Sequence, residues 1–455
     1  MKQHKEGFIF KETVFILFLI LAIIYTSLFI WKTEPHIALL ACLIVVSALS
    51  VLKGYKWKEI ELGLVKGIQN GVQPIIVLAL IGILIGAWMI SGTIPTVMAY
   101  ALTSINPNYL LITSLFSCMV ISSLVGSSFT TVSTVGVALM GAGMAIGLPV
   151  EWVAGAVISG ACFGDKMSPM SDTTNFASGI SSVKLFTHIR HMTHTTIPSI
   201  IITTLIFFIL GRLATIDTAS INETKNMVSM IKDHVSISSI TLLSPILVII
   251  LAIKKVPVIP ALVVGIITGG MTAIGFQEVK FGEFLQVLQN GTAFPIDDRV
   301  VSNMLNRGGL QSMMWSISLI LVAFAFGGIL NALHIIPTLI KGLIYRIHSK
   351  GQLILSTAAS SIGVNLLTGE QYLSILIPGQ SFKDLYDNLK IDRKYMSRTL
   401  EDAGTLINPL IPWGVSGAFF AQTLGVPVID FLPFAFFLYL SLFFSIGFGF
   451  IKRRI

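Results

Sequence analysis

Charge is what this chain has least of. Only 11% of its 455 residues are Asp, Glu, Lys or Arg, while 54% are apolar, and the mean hydropathy is +0.85. Soluble domains carry roughly 25% charged residues, so a water-soluble enzyme is excluded at the outset. Cysteine is scarce as well. Cys42, Cys118 and Cys162 each stand in an apolar run with no metal-ligand spacing and no near partner, which excludes a disulfide scaffold and a zinc module. A Ser-His-Asp set, a nucleotide loop and the repeated filter motif of a tetrameric pore are also missing, so a membrane enzyme or a channel is the weaker reading of another class.

What fills the chain instead is a series of apolar runs of about 17 to 25 residues, the length that crosses a hydrocarbon core. Lipid offers the backbone no hydrogen bonds, so such runs form helices, and the fold class is an all-α polytopic membrane protein. The spans fall near 14–31, 36–52, 74–90, 150–180, 194–214, 238–253, 256–275, 313–333, 397–424 and 430–450. Regions 109–147 and 351–381 each lie between loops assigned to one side and read as re-entrant hairpins, for about 10 to 12 transmembrane helices in all. The first run, Val14 to Trp31, lacks a small-residue cleavage site and reads as a retained span.

Lys and Arg gather at the N-terminus, Lys53 to Lys66, Lys184 to Arg190, Lys254-Lys255, Lys341 to Lys350, Lys383 to Arg398 and Lys452-Arg453-Arg454. The positive-inside rule makes these cytoplasmic, with both termini inside, in the cell inner (plasma) membrane. The charges are scattered along membrane edges and form no single face, so the bilayer, not nucleic acid, is the partner they describe.

The sequence repeats itself. Gln69-Asn70-Gly71 recurs as Gln289-Asn290-Gly291, Ile94-Pro95-Thr96 as Ile336-Pro337-Thr338, Ser122-Ser123 as Ser360-Ser361 and Ser178-Gly179 as Ser416-Gly417, in one order, with an insertion near Phe294 to Leu310. The loop before the first Gln-Asn-Gly copy is basic and the loop before the second net acidic, so the halves are expected to be inverted: 1–215, an exported loop 216–237, and 238–455. Inverted repeats mark alternating-access transporters.

Polar residues interrupt the spans at matched places. Gly164-Asp165-Lys166-Met167-Ser168-Pro169-Met170-Ser171-Asp172-Thr173-Thr174-Asn175 puts three ionisable groups and a proline inside a span. Each charge at a helix centre costs about 2.5–3.5 kcal/mol on insertion scales unless it faces a cavity or a partner. Gly164 and Pro169 mark a helix break whose freed carbonyls become ligands. Asp165 and Asp172 can point into one site and are the candidate cation ligands, joined by Ser168, Thr173 and Asn175, with Lys166 as their charge partner. The second half echoes the break at Gly404 and Asn408-Pro409, with Asp402 nearby, but offers no carboxylate at the positions matching Asp165 and Asp172. One acidic half-site and one largely neutral one are therefore expected. The hairpins add hard oxygen ligands, Ser127, Ser128 and Thr130 in the first, Asn365, Thr368 and Glu370 in the second. His188, His191 and His194, three apart at the start of a span, read as interfacial residues.

The Gly164 to Asn175 stretch resembles the signature of the NhaC-type sodium/proton antiporters of the ion-transporter superfamily. The hydroxyl-rich run Gly126 to Thr134 and the Asn408-Pro409 region agree, so the resemblance covers nearly the whole chain. It implies exchange of Na+ for H+ without a bound cofactor, with Asp165 and Asp172 carrying the acidic signature, and is compatible with a homodimer. Related families are similar to sodium-lactate/malate-proton antiporters, so an organic-acid antiporter taking malate or lactate is the alternative. The mechanism expected is competition: Na+ needs an ionised carboxylate, and a proton removes the ligand charge.

Overall fold

The structure is a computed structural model and describes residues 7–104, 106–214, 228–254, 256–298, 301–302, 305–344 and 347–451. Most of the inter-repeat loop and the Lys452-Arg453-Arg454 tail lie outside the described residues. Among those residues there are helices and turns and no strand. The first half runs α1 (Phe10–Tyr25), α2 (Pro35–Leu52), α3 (Trp57–Ile90), α4 (Thr93–Ser104), α5 (Leu110–Val125), α6 (Ser128–Ala145), α7 (Val150–Met167), α8 (Asp172–Ile180) and α9 (Leu185–Leu213). The second runs α10 (Leu243–Ile253), α11 (Val258–Gly275), α12 (Phe281–Asn290), α13 (Met314–Ala332), α14 (Ile335–Ile344), α15 (Lys350–Thr368), α16 (Gln371–Asn388), α17 (Lys394–Leu400), α18 (Val415–Leu424) and α19 (Phe436–Phe450).

Among the described residues, seven helices are long and apolar enough to cross a membrane singly, or up to nine if each bent pair counts as one span. The larger number read from the sequence included pieces that the structure divides: α5 and α19 are shorter apolar helices, and α17 gives way at Glu401–Thr405 to a π-type turn. Residues 415–434 fold as two helices bent by 92°. The expected span at 74–90 is the second half of α3, because Glu59 caps the Lys56 amide at 2.9 Å and starts the helix at Trp57. Only the short turn from Lys53 to Lys56 remains of the expected basic loop. In the second half the Gln289-Asn290-Gly291 copy ends α12, since Gly291 takes φ 83°, and α13 follows after the insertion.

Small residues set the spacing of the central helices. A Cβ on Gly67 of α3 would lie 2.1 Å from the Phe324 carbonyl oxygen of α13, and one on Gly328 would lie 2.3 Å from the Gly63 carbonyl oxygen. Backbones this close need glycine, as membrane helix pairs commonly do. The apolar core divides around the two hairpins. One cluster gathers α5, α6 and α7 with Phe419 and Phe420 of α18; the other gathers α1 and α2 with α13, α15 and α16.

Candidate cation site at two helix breaks

Two hairpin tips meet two helix breaks. α5 ends on Gly126 at φ 73°, a left-handed turn that glycine makes without strain, and Ser127 Oγ accepts the Thr130 amide to start α6. α15 ends the same way on Gly369 at φ 66°, and Glu370 Oε2 accepts the Leu373 amide at 2.6 Å to start α16. The first tip abuts the break Ser168–Ser171, where a Cβ on Gly126 would lie 2.6 Å from Met170 Cβ. The second abuts the break after Thr405, where the Gly369 carbonyl accepts the Val415 amide at 2.9 Å and Asn408 Nδ2 at 3.0 Å.

Between the breaks lies a cavity of about 20 Å³, lined by Ser128, Cys162, Asp165, Lys166, Thr173, Gln371, Glu401, Thr405, Leu406, Pro409 and Ser416. That is room for about one water-sized particle. Asp165 Oδ2 accepts Ser128 N at 3.0 Å and Ser128 Oγ at 2.6 Å, while buried Oδ1 makes no hydrogen bond within 3.5 Å, the Ser171 hydroxyl being the other donor near this carboxylate. Glu401, fully buried, mirrors it. Its Oε1 accepts Thr405 Oγ1 at 3.2 Å and Thr173 Oγ1 at 3.3 Å, and its Oε2 is buried without a partner. A buried carboxylate oxygen with no donor is costly, and here two such carboxylates line one cavity. Sequence reasoning passed over Glu401 in favour of its neighbour. The signal lay in the helix phase: Glu401 stands one turn before Thr405, the position that matches Asp165 across the repeat.

Lys166 and Asp402 are spent on each other. They form an ion pair across the halves, exposed by 1% and 0%, and Asp402 Oδ2 also accepts Thr195 Oγ1 at 3.2 Å. Lys166 therefore pairs with neither Asp165 nor Asp172, and the second half is not the neutral one: it contributes Glu401 and Asp402 to the centre.

Asp172 stands outside this cavity. It is exposed at the start of α8 and lines a vestibule of about 380 Å³ with Ser127, Thr130, Pro169 and Asn175. Asp172 Oδ1 accepts Thr173 N at 2.9 Å, and Oδ2 accepts the Tyr372 hydroxyl. Tyr372 belongs to the second hairpin, and its ring packs edge-on to Phe176 of α8 at 5.5 Å between centroids. Three consecutive residues of that tip thus serve three places: Glu370 caps α16, Gln371 lines the inner cavity and Tyr372 holds Asp172. Removing only the hydroxyl, Tyr372→Phe, should raise the apparent KM for Na+ roughly 3- to 10-fold, the value of one solvent-accessible hydrogen bond of about 1 kcal/mol, with maximal exchange within about twofold. Equal losses in both parameters would assign Tyr372 to the transport step itself.

Other expected ligands are saturated. Asn365 Nδ2 donates to the carbonyls of Ala403 and Gly404 at 3.2 and 2.7 Å, its Oδ1 accepts Asn408 Nδ2 at 3.0 Å, and Asn408 Oδ1 accepts Ser416 N at 2.8 Å. These amides clamp the second break. Asn175 Nδ2 does the same for the first, donating to the carbonyls of Pro169 and Ser171 at 2.9 and 2.6 Å. Ser168 Oγ accepts Met170 N at 3.2 Å, and Thr368 Oγ1 donates to the Val364 carbonyl at 2.8 Å. Gly164 lies in the last turn of α7 rather than in the break, and Gly404 lies in the π-type turn before Pro409. His188 is buried against Ser397 Oγ at 2.9 Å, so it belongs to the interior and not to an interface.

The positive ends of the broken helices are occupied by the chain itself. Ser128 N at the start of α6 is taken by Asp165, Thr173 N at the start of α8 by Asp172, and Leu373 N at the start of α16 by Glu370.

Apolar spans, broken helices and hairpin tips around buried carboxylates define a membrane-embedded secondary transporter. A sequence model of the Na+/H+ antiporter family matches residues 160–453, which hold both breaks and the second hairpin. The chain is 57% identical over 445 residues to the Na(+)/H(+) antiporter NhaC of Bacillus subtilis, covering 98% of each chain. It is 50% identical over 451 residues to the Na(+)/H(+) antiporter NhaC of Alkalihalophilus pseudofirmus, covering 99% of this chain and 96% of that one. It is 31% identical over 444 residues to the malate-2H(+)/Na(+)-lactate antiporter of Bacillus subtilis, covering 98% and 95%. The chain belongs to the Na+/H+ antiporter family, and it is a transporter rather than an enzyme.

Proposed function

We propose that Na+ and H+ compete for the cavity between Asp165 and Glu401, and that this competition couples their exchange. The observation that carries the reading is the pair of buried carboxylate oxygens, Asp165 Oδ1 and Glu401 Oε2, that lack donors and belong to residues lining one ion-sized cavity. With both carboxylates ionised the cavity takes a cation, with the hydroxyls of Thr173 and Thr405 beside it; protonation removes the ligand charge and releases Na+. Asp172 acts one step outward, drawing Na+ into the vestibule. The repeats 1–215 and 238–455, joined by an exported loop 216–237, would move against each other with both termini cytoplasmic. The matched turns at Gly126 and Gly369 support the duplication, and the basic loops support the orientation.

The organic-acid reading has a relative in its favour, the malate-2H(+)/Na(+)-lactate antiporter. The geometry weighs against it. An organic anion would bind at helix N-termini, and those of α6, α8 and α16 already hold the chain's own carboxylates. A four-carbon dicarboxylate also exceeds a cavity of about 20 Å³. The test is purified protein in liposomes with an internal pH dye and an imposed proton gradient. Sodium chloride alone should collapse the gradient. A response only to sodium with malate or lactate would overturn the reading in favour of organic-acid exchange.

A further inference from the structure

Four helices end together at one edge of the bundle. α9 begins at Leu185, α15 at Lys350 and α17 at Lys394, while α19 closes at Phe450. The end of α19 sits on the start of α15, where a Cβ on Gly351 would lie 2.5 Å from Phe450 Cδ1. Basic groups gather there around a single aromatic ring. Lys350 Nζ stands 3.7 Å from the centre of the Tyr395 ring, Arg398 Cζ 5.6 Å and Lys394 Nζ 5.8 Å. The imidazole of His191 meets the same ring edge-on at 4.7 Å between centroids.

Little negative charge answers this cluster. Asp392 pairs with Lys394 at 2.9 Å from an exposed position. Asp402, one turn beyond Arg398, is held by Lys166, and Arg393 is paired with Asp387. Among the described residues Lys350 and Arg398 form no salt bridge. Contact with an aromatic face stabilises a cation but brings no net negative charge, and like charges this close repel. Lys350 is also the first residue of α15, where the helix dipole is itself positive. Arg398 is only 1% exposed; its Nη2 donates to the Ser445 carbonyl at 3.4 Å, and its Nε makes no hydrogen bond. His191 is 9% exposed, and its Nε2 makes none either. Buried nitrogens left without partners inside a group of cations point to an anion.

The surroundings select which anion. Ile197, Ile201 and Leu205 stand four residues apart on α9 beyond His191, and all are exposed. α19 packs on α9 through the Phe207 and Phe436 rings and leaves Phe443 and Phe450 exposed. An apolar outer face that starts at a basic cluster is the path of an acyl chain below its headgroup.

We propose that Lys350, Lys394, Arg398, His191 and Tyr395 form a site for the phosphate group of an anionic phospholipid whose acyl chains lie along α9 and α19. The half-buried Lys350 and Lys394 reach the phosphate oxygens, and Arg398 and His191 supply positive potential from beneath. The headgroup would join α15 of the second hairpin to α17, the helix that leads into Glu401.

The test uses the full chain, delipidated in detergent, with phosphatidylglycerol or phosphatidylcholine added back and bound lipid counted by native mass spectrometry. Phosphatidylglycerol should bind at least about 10-fold more tightly and raise the melting temperature. Lys350→Gln should weaken it about 5-fold and Lys350→Gln/Lys394→Gln about 25-fold, one basic residue's share each, whereas Lys350→Arg should keep wild-type affinity. Neither lysine is fully buried, so these variants should melt like wild type in lipid-free detergent. Lys341→Gln, on an exposed position of α14 outside the cluster, should change nothing. Inorganic phosphate or glycerol phosphate at millimolar concentration should leave the lipid bound. Displacement of the lipid by either, with equal protection against melting, would overturn the proposal in favour of a soluble phosphate ligand. Equal retention of the two lipids, or equal losses for Lys341→Gln and Lys350→Gln, would overturn the site itself.

Discussion

Asp165→Asn and Glu401→Gln should each lower Na+-driven proton exchange by about 100-fold in liposomes while the protein remains folded. Both replacements keep the shape and the existing contacts. The amide introduced at position 165 would still accept from Ser128, and the one introduced at position 401 would still accept from Thr173 and Thr405, because those bonds use the other side-chain oxygen. What changes is the free oxygen on the cavity, which becomes an amide nitrogen with two donors that repel a cation. Losing a charged ligand is worth roughly 3 kcal/mol, and about 1.4 kcal/mol is tenfold. Asp172→Asn should behave differently, because Asp172 lies in the vestibule: its main effect should be a higher KM for Na+. Wild-type exchange by either Asp165→Asn or Glu401→Gln, with unchanged melting temperature, would remove the inner cavity as the shared site. A total loss for Asp172→Asn alone would move the site outward.

The second large effect is on stability. Lys166→Met leaves Asp402 as an unpaired buried carboxylate, which costs about 3–5 kcal/mol, and the variant should melt well below wild type in detergent. Asp402→Asn strands the ammonium in the same way. Joining the two changes removes both charges together, so Lys166→Met/Asp402→Asn should recover most of the loss, since a buried pair contributes little net stability over a neutral one. Full stability of either single variant would show that the pair is hydrated or loose. A double variant destabilised by the sum of the two single losses would show that the two residues act independently.

Much of this architecture was legible in one sequence, and the limits follow from particular residues. The two breaks were readable because proline and ionisable groups stand out against apolar flanks, and the hairpins because polar runs with glycine interrupt others. Cross-half partners were not readable. Nothing in the spacing of Lys166 says that its counter-ion is 236 residues away rather than one or six. The same blindness produced the expectation of a neutral second half-site: comparing Asp165 with Thr405 asks what occupies the equivalent position, whereas Glu401 reaches the cavity from one helical turn before it. Asn365 and Asn408 looked like ligands because amides have free oxygens in a sequence; in the fold each carbonyl oxygen is committed to a donor. Saturation is a property of three-dimensional neighbours, and composition does not report it.

The Lys166–Asp402 pair also decides how the protein meets the membrane voltage. These two side chains cancel within the interior, so under the exchange proposed above the charge carried across the field would be set by Asp165, Glu401 and whatever they hold. Two neutralised carboxylates cross without electrical work. One left bare carries a full unit, worth about 2.3 kcal/mol for every 100 mV. Fixed charges return with the site and cancel over a full cycle, so steady current per turnover would count the difference between the protons and sodium ions exchanged, while the voltage dependence of each half-cycle would report the charge left on the two carboxylates.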